Sequence, residues 1–360
     1  MFVIIVVSLL ALFFTILESK EVLRGGMALG FIIITIVSMI RYDYGNDYMG
    51  YYDDFNNACK YDIEDIIIFS EYIKDSGWSF FCKLFEPFGF FVFVACLAFF
   101  SNLIYYKFIK ENVNKQDYWL AVFIYLFTFD LFVLQLSMIR QGFVIALFVL
   151  SYHYLNKRKI LVPIIITLIS ISFHKTALVL IPFLFFSKYP FKRLGKPTSL
   201  AIIGVFVICI LSSSLINNFL SSLLAFDALS IYDSKYALEE GNKIGIRMLF
   251  EFIPFFIAAY YIWSSKTVNG PRYLVFLSTI SALIYPFTTI IHLILRLSFY
   301  FSIFSIATIP ITYKELNNQL ARYLLLSIYF IITIYVYIDR FTNSVYTDSF
   351  KEFKTIFSIL

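Results

Sequence analysis

Apolar stretches recur along the chain at short intervals and are separated by polar segments. Twelve can be marked, at 1–17, 26–40, 87–106, 118–134, 141–155, 160–172, 176–187, 198–216, 244–263, 273–289, 297–312 and 323–338. A helix needs about 20 apolar residues to cross the hydrocarbon core of a bilayer, and twelve such helices with their loops account for this chain length. The pattern therefore predicts an all-α polytopic membrane protein, with about twelve transmembrane helices in a single membrane domain over residues 1–360.

Composition supports this prediction and excludes other classes of protein. Of the 360 residues, 60% are hydrophobic and 15% are charged, and the mean hydropathy of +0.81 is far above that of a soluble domain. The net charge of +5 is too small for a nucleic-acid-binding surface, so no nucleic acid is expected as a partner. The first stretch lacks the basic start and the small-residue cleavage site of a secretory signal, and we expect it to be retained as a span.

Basic residues concentrate in alternate loops, and this orients the predicted helices. The six loops at 18–25, 107–117, 156–159, 187–197, 264–272 and 313–322 carry 16 Lys and Arg against 5 Asp and Glu, a net charge of +11. The rest of the chain carries 13 against 19, a net charge of −6. Because basic loops stay in the cytoplasm, these six are predicted to be cytoplasmic, and both termini are predicted to lie on the outer side.

Three segments depart from this regular alternation. The outer loop 41–86 contains ten acidic residues and alternating apolar positions, which indicates amphipathic helices on the outer leaflet. Loop 217–243 is Ser-rich and polar, as expected of a second outer loop that covers a site. Residues 160–186 are too few for two full spans, so short tilted helices or a re-entrant hairpin are expected there. Cys59 and Cys82 share the first of these loops, and the sequence leaves open whether they form a disulfide.

Several cationic side chains fall at the outer ends of predicted helices, where an ionisable group near the hydrocarbon region requires an explanation. They are Arg41, Arg140, Lys175, Arg247 and Arg296. A planar guanidinium binds phosphate oxygens in a two-pronged way and stays charged when desolvated, so this group suits a lipid diphosphate. Contact with ordinary lipid headgroups is the alternative for any single member. His292 precedes Arg296 by four residues on the same helical face, where it can help to orient the same anion.

Two side chains are candidates for a general base. His174 lies in the middle of the 160–186 segment beside Lys175, and imidazole titrates near neutral pH. The alternative for His174 is a hydrogen-bonded packing residue. Asp130 is an intramembrane carboxylate close in sequence to Arg140, and partnership with an arginine is its alternative role.

The densest polar and aromatic cluster of the chain runs from Arg41 to Tyr48. Tyrosine faces stack on sugar rings, and carboxylates accept hydrogen bonds from sugar hydroxyls, so this composition suits a carbohydrate. The candidate sugar-binding residues are Tyr42, Tyr44, Asp47, Tyr48 and Tyr51. A belt of tyrosines at the membrane interface is the alternative interpretation.

The sequence carries no pattern that indicates a bound cofactor or metal. It has no glycine-rich phosphate loop, no nucleophile elbow, and no metal-ligand spacing among its three His and four Cys. We therefore expect a reaction that uses no cofactor and no metal ion.

Four short stretches, taken in order, resemble the EpsG-like, Wzy-type polymerases of bacterial O-antigen and capsular polysaccharide. They are Arg41-Tyr-Asp-Tyr-Gly-Asn-Asp-Tyr48, Ile139-Arg140-Gln141-Gly142, Phe173-His174-Lys175-Thr176-Ala177, and Arg296-Leu-Ser-Phe-Tyr300 leading to Ile309-Pro310. Each stretch is degenerate by itself. Their order and predicted topology make the match specific, and together they span most of the chain.

The resemblance implies a metal-independent glycosyltransferase of the bacterial cytoplasmic membrane with a GT-C-like architecture. Its substrates would be undecaprenyl-diphosphate-linked oligosaccharide repeat units on the outer side of the membrane. The growing glycan would be transferred as a block to the non-reducing end of a newly arrived unit. A separate chain-length regulator would be a partner protein.

The same resemblance suggests roles for individual residues. Arg140 and Arg296 are expected to bind the diphosphate and to stabilise its departing charge. Arg41 or Arg247 would assist them. His174 is expected to deprotonate the acceptor hydroxyl, with Asp43 or Asp130 as the replacements if it does not.

Two other functions also fit a twelve-span membrane protein with internal charges. A flippase for the lipid-linked oligosaccharide would show repeated halves with matched interrupted helices. Such halves are not visible here, because loop 41–86 has only a shorter, Ser-rich counterpart in 217–243. The cations also cluster on one side, whereas a flippase needs charge on both faces in alternation. A ligase that attaches the finished glycan to its final carrier is the second alternative.

Overall fold

The structure of the protein is a computed structural model that describes residues 1–68, 75–157, 159–186, 272–284, 294–316, 318–342 and 346–358, with isolated positions between 200 and 287. The chain divides into two compact units. The first combines Met1–Tyr189 with Tyr337–Leu360, and the second is Pro190–Val336. Helices are numbered below in chain order over the described residues.

The described part of the first unit is almost entirely helical. Its α-helices are α1 (Phe2–Ser19), α2 (Gly26–Ile40), α3 (Tyr48–Cys59), α4 (Ile63–Ile68), α5 (Ser76–Leu84), α6 (Gly89–Asn112), α7 (Tyr118–Phe127), α8 (Phe132–Ser137), α9 (Ile139–Asn156), α10 (Leu161–Phe173) and α11 (Ile181–Phe186). Short 3-10 helices lie at Glu86–Phe88, Lys115–Asp117 and Lys175–Leu180. A two-residue strand, β1 (Arg41–Tyr42), follows α2 directly.

The second unit is described over three helices and most of a fourth. These are α12 (Arg272–Ile284), α13 (Ile294–Ser302), α14 (Ser305–Thr312) and α15 (Gln319–Thr342), with a 3-10 helix at Tyr313–Glu315. The last turns of α15 belong to the first unit. They lead there into α16 (Tyr346–Ser349), β2 (Lys354–Thr355) and a final 3-10 helix at Ile356–Ser358.

The core of the first unit forms around α7. This helix is apolar on every side, and Leu120, Ala121, Ile124 and Leu126 are completely buried. A helix without a polar face can be stable only in such a central position. Its neighbours include α1, and further packing joins α1 with α2, α2 with α6, α6 with α9, and α9 with α10.

The helices confirm an all-α membrane protein, but the number of twelve spans is not confirmed. Within the described residues, Phe2–Ser19, Glu86–Asn112 and Gln319–Thr342 are long and apolar enough to cross a membrane. The pair Ile294–Ser302 and Ser305–Glu315, bent by 54°, would make a fourth. Three predicted segments lie largely or wholly outside the described residues: the stretches 198–216 and 244–263 and the loop 217–243.

Two predicted spans are interrupted in the structure. The stretch 118–134 is divided into α7 and α8, because the backbone becomes extended at Thr128 and the chain turns through Asp130. The stretch 297–312 is divided between α13 and α14 by a turn at Ile303 and Phe304. By contrast, the short helices expected over 160–186 are present as α10, a 3-10 helix and α11.

Loop 41–86 also contains helices, α3, α4 and α5. Their helical structure leaves open which side of the membrane they face, so the outer location of the loop stays a prediction.

Candidate active site

The chain that follows α2 is tied to the C-terminal segment of the first unit. β1 and β2 pair antiparallel, with Arg41 opposite Thr355 and Tyr42 opposite Lys354. The ammonium of Lys354 lies 3.9 Å from the Asp43 carboxylate. Both side chains are 44% exposed, so this ion pair contributes little to stability. The pairing places residues 41–43 beside residues 354–355.

Two tyrosines fix this segment from inside. The ring of Tyr44 lies edge-to-face against Phe350 and Phe353, at centroid distances of 4.9 and 5.0 Å, and its hydroxyl accepts a hydrogen bond from the Met1 nitrogen at 3.1 Å. The Tyr48 hydroxyl donates to the Arg41 carbonyl oxygen at 2.9 Å. Both tyrosines are completely buried, and burial raises the pKa of Tyr48 to about 12. Their rings are covered by protein in this arrangement.

A turn at Gly45 seats the segment on the junction of α8 and α9. Gly45 has a φ of +120°, which only glycine adopts without strain, and a Cβ at this position would lie 2.8 Å from the Leu136 carbonyl oxygen. The backbone N–H of Asn46 donates to Ser137 Oγ at 3.0 Å. The segment therefore contacts the chain within a few residues of Arg140.

Arg41 is buried beneath this turn, with 3% of its surface exposed. Its guanidinium donates to the Ser38 carbonyl oxygen and, at 3.4 Å, to that of Leu136. The guanidinium carbon lies 5.5 Å from the centre of the Tyr48 ring. Burial lowers the pKa of Arg41 to about 10, so the side chain remains a cation at neutral pH. Among the described residues its Nε has no hydrogen-bond partner.

Arg140, in the first turn of α9, is held in an aromatic and acidic pocket. Its Nη1 lies 2.9 Å from Asp75 Oδ2. The guanidinium carbon lies 5.8 Å from the centre of the Tyr51 ring and 5.9 Å from that of Trp78. The side chain of Asp75 is 5% exposed and that of Arg140 is 15% exposed. These contacts fix a cation that water reaches only partly.

His174 lies at the break between α10 and the following 3-10 helix, where its backbone is extended. Its neighbour Phe173 packs against Trp78 at 6.2 Å and against Phe81 at 5.3 Å, measured between ring centroids. Gly77 lies directly against the end of α10, since a Cβ there would fall 2.1 Å from Ser172 Oγ. The start of α5 therefore contacts both Arg140 and the residues that precede His174.

Parts of three separate stretches thus lie near one another in the first unit. Residues 45–46 contact Leu136 and Ser137, just before residues 139–142, and α5 contacts both Arg140 and Phe173. A sequence model of one protein family, the EpsG family, matches residues 27–355 and so includes all three. The chain belongs to the EpsG family. The family is associated with polysaccharide-polymerase-like function. No curated protein and no solved structure matches the chain.

The remaining predicted site residues of this EpsG-family protein are placed as follows. Asp130 lies in the turn between α7 and α8, and Lys175 begins the 3-10 helix after His174. Arg296 is in α13, in the second unit. Arg247 and His292 lie outside the described residues.

The tyrosine cluster divides into two groups. Tyr42 and Tyr51 are partly exposed, and Asp47 is exposed at the start of α3, so sugar contacts remain a prediction for these three. Tyr44 and Tyr48 have no exposed ring surface. They stabilise the segment in this structure, and a sugar could stack on them only after the segment moves.

Two side chains of the site were not singled out from the sequence. Asp75 is one of ten acidic residues in loop 41–86, and Trp78 follows it by three positions. An acidic residue just before an apolar helical segment is a weak signal for a helix start, and here the backbone N–H of Trp78 donates to the Asp75 carbonyl oxygen at 2.9 Å. Nothing in the local sequence indicates that Asp75 binds Arg140.

Cys59 and Cys82 are both free thiols, with Cys82 completely buried. No group of three or more His, Cys, Asp or Glu side chains is placed to hold a metal ion in the part of the chain that the structure describes.

Proposed function

We propose that the protein is a polysaccharide polymerase, a glycosyltransferase that joins oligosaccharide repeat units carried on undecaprenyl diphosphate at the outer face of the bacterial cytoplasmic membrane. The observation that carries this proposal is the proximity, in a chain of the EpsG family, of residues 45–46 to residues 136–137 and of α5 to both Arg140 and Phe173. These contacts connect Arg140, through α5, with Ser172 and Phe173, the two residues before His174.

The reaction needs a cation at the leaving group and a base at the acceptor. An acceptor hydroxyl attacks the anomeric carbon of the growing glycan, and the bond from that carbon to the diphosphate oxygen breaks. The hydroxyl proton passes to the base, and the lipid diphosphate leaves with the bonding electrons. We assign the base role to His174, with Asp43 and Asp130 as the alternatives.

Arg140 is the main candidate for binding the leaving diphosphate, together with Arg296. Arg41, Lys175, Arg247 and His292 complete the proposed anion-binding set. Arginine forks match pairs of phosphate oxygens, and in this proposal they neutralise the leaving group without a metal ion. Tyr42, Asp47 and Tyr51 would contact the sugar.

In the ligand-free protein Arg140 is bound to Asp75, which gives the carboxylate a positioning role. A guanidinium has five N–H donors in one plane, and the Asp75 contact uses one edge of it. The opposite edge can bind an incoming phosphate while Asp75 keeps the orientation. Tyr51 and Trp78 flank the same group and limit its rotation.

The test is the glycan made by a strain in which the gene is deleted and then restored with variants. Arg140→Ala, Arg296→Ala and His174→Ala should each leave single repeat units in place of a polymer ladder. Arg24→Ala is the matched control, because Arg24 is an exposed arginine away from this cluster, and it should restore the ladder. Membrane levels of each variant are measured by immunoblot.

The product pattern also separates the proposal from its alternatives. A deletion that leaves full-length polymer on the lipid carrier would indicate a ligase, and one that traps repeat units on the cytoplasmic side would indicate a flippase. Normal ladders from a correctly inserted triple variant would reject the assigned residues. Activity of the purified protein that survives EDTA would support the metal-independent mechanism.

A further inference from the structure

Arg41 lines a small cavity between the end of α2 and the helices α6, α7, α8 and α9. The polar side chains of the cavity wall include Ser38 of α2, Arg41 of β1, Asn102 of α6 and Gln135 of α8. The cavity has a volume of about 30 Å³. A buried water molecule needs roughly 10–15 Å³, so the cavity has room for one or two particles of that size and excludes a phosphate group.

The charge of Arg41 is only partly compensated by the described residues around it. Its guanidinium donates to the carbonyl oxygens of Ser38, in the last turn of α2, and of Leu136, and it lies over the Tyr48 ring. A helix C-terminus carries roughly half of a negative elementary charge, so part of the positive charge is left. None of the described residues in the cavity wall is acidic, and no described carboxylate forms an ion pair with Arg41. Because a buried charge without a counter-charge is costly, the cavity favours a negative occupant.

Two buried side chains of the cavity wall offer N–H groups to an occupant. The Nε of Arg41 has no hydrogen-bond partner among the described residues. The Asn102 amide donates one N–H to the Ala98 carbonyl oxygen at 3.0 Å, and its Oδ1 accepts a hydrogen bond from Tyr125 at 2.8 Å. The second N–H of Asn102 has no acceptor in the described part of the chain, and the side chain is 4% exposed. N–H donors in a dry cavity suit an anion, which can only accept.

Water is the competing occupant of a cavity of this size. A water molecule could accept the hydrogen bond of the Arg41 Nε–H, but it is neutral and would leave the remaining charge of the guanidinium uncompensated. A monoatomic anion of similar size accepts from both N–H groups and also supplies the missing negative charge. Hydrogen bonds in which donor or acceptor is ionised are about twice as strong as neutral ones. Size and charge together therefore favour a small anion over water.

We propose that this cavity binds one halide ion, chloride under physiological conditions, between Arg41 and Asn102. The ion connects α6 to the guanidinium that already joins the end of α2 to Leu136. It would thereby stabilise the segment that begins at Arg41, beside the candidate active site. The inference goes beyond the proposed function and does not rest on it, because a diphosphate could reach Arg41 only after residues 41–48 move.

The midpoint of thermal unfolding of the full-length protein in detergent tests for such an ion. It is measured in sodium chloride, sodium bromide and sodium gluconate at an equal ionic strength of about 150 mM, so that screening is constant. A ligand that binds only the folded state raises the midpoint, and chloride and bromide should raise it by about 2 °C or more over gluconate, whose anion is too large for the cavity. Arg41→Gln should lose this difference. Arg24→Gln, at an exposed arginine before the start of α2, should keep it.

A second pair of variants keeps the test decisive if Arg41→Gln does not fold. Asn102→Asp places a carboxylate at the cavity, where it replaces the ion as the counter-charge of Arg41, so its unfolding midpoint should be the same in chloride and in gluconate. Asn112→Asp is the matched control on the same helix. The Asn112 amide also donates to the carbonyl oxygen four residues earlier, at 2.8 Å, and its Oδ1 also accepts from a tyrosine, Tyr152, at 3.4 Å. Asn112 lies outside the cavity wall, so this variant should keep the chloride dependence.

Bromide also locates the ion, because its anomalous X-ray scattering identifies it in crystals of the protein grown with sodium bromide. A peak is expected in contact with the Arg41 guanidinium of the unmodified protein and absent from that position in Asn102→Asp. Equal unfolding midpoints of the unmodified protein in chloride and gluconate would mean that the cavity holds water only, and the proposal would be overturned. Loss of the chloride effect in both Asn102→Asp and Asn112→Asp, or bromide peaks only at other positions, would overturn it as well.

Discussion

Removing one member of the Arg140–Asp75 pair tests whether the candidate site is built as described. Asp75→Asn removes the negative charge and keeps the size of the side chain. Arg140→Met removes the cation and keeps most of the apolar stem that packs between Tyr51 and Trp78. With the double variant, these substitutions form a thermodynamic cycle.

The geometry sets the expected magnitude. Two unit charges 2.9 Å apart attract each other by about 6 kcal/mol at an effective dielectric constant of about 20. Desolvation offsets much of this, and loss of one partner from a buried pair costs ~3–5 kcal/mol. Arg140→Met should lie at the upper end, because it leaves the 5% exposed Asp75 carboxylate without its cation. Asp75→Asn should lie lower, because Arg140 keeps partial exposure and two aromatic faces.

The assay is the free energy of unfolding in mixed detergent micelles, measured for the two single variants and the double variant. We expect the double variant to be less destabilised than the sum of the singles by about 2 kcal/mol. The exposed pair Asp43–Lys354 supplies the control cycle, Asp43→Asn with Lys354→Met, where the coupling should be below about 0.5 kcal/mol. Equal coupling energies in the two cycles would refute the claim that Arg140 and Asp75 form a buried ion pair stronger than an exposed one.

Three further predictions follow from the contacts around this pair. Gly45→Ala places a methyl group against Leu136 and Ser137, so it should lower the free energy of unfolding by ~1–3 kcal/mol and shorten the polymer. The control Gly50→Ala lies in an open part of α3 and should leave the free energy of unfolding unchanged or raise it by up to ~1 kcal/mol. Equal unfolding free energies for the two variants would contradict this prediction. Gly77→Ala should separate α5 from α10 and reduce polymer length. Adding Ser172→Gly should partly restore the polymer length, because Ser172 Oγ and Cβ are the side-chain atoms nearest to the new methyl group. If the double variant is expressed normally and the polymer stays short, the contact between Gly77 and Ser172 is unimportant. Burial raises the pKa of the Cys59 and Cys82 thiols. Because the thiolate is the reactive form, maleimide should label a protein with Cys59 alone more slowly than a free thiol near neutral pH, with a rate that rises about tenfold per pH unit toward about pH 9. A protein with Cys82 as its only cysteine should stay unlabelled until it is denatured. Equal labelling rates for the Cys59 protein and the Cys82 protein would contradict the burial of Cys82.

Local sequence patterns predicted those features that depend on nearby residues. The apolar stretch 26–40 is the same as α2, because a helix in lipid begins and ends where the apolar run does. The break at His174 was indicated by a polar dipeptide in a segment too short for two spans. That Arg41, Arg140 and His174 belong to one site is implied by the family resemblance and stays a prediction.

The rest depends on contacts between distant parts of the chain. Asp75 meets Arg140 only because α5 packs against both α3 and α10, and no local signal separates it from nine other acidic residues in loop 41–86. Similarly, composition showed that residues 42–51 are rich in tyrosine, but it could not show which rings face inward. For Tyr44 that is decided by Phe350 and Phe353, about 300 residues away in sequence, and for Tyr48 by Phe90.

The Asp75 carboxylate has two opposite effects in this arrangement. It stabilises the protein without substrate, because a cation that is 15% exposed would otherwise lose most of its hydration without compensation. It also repels a phosphate that approaches the opposite edge of the guanidinium, because the two groups carry the same sign of charge. If Arg140 binds the diphosphate, Asp75→Asn should therefore lower the free energy of unfolding and at the same time tighten the binding of inorganic pyrophosphate. A purely structural ion pair predicts the first effect without the second, so the two measurements on one variant distinguish a binding site from a structural contact.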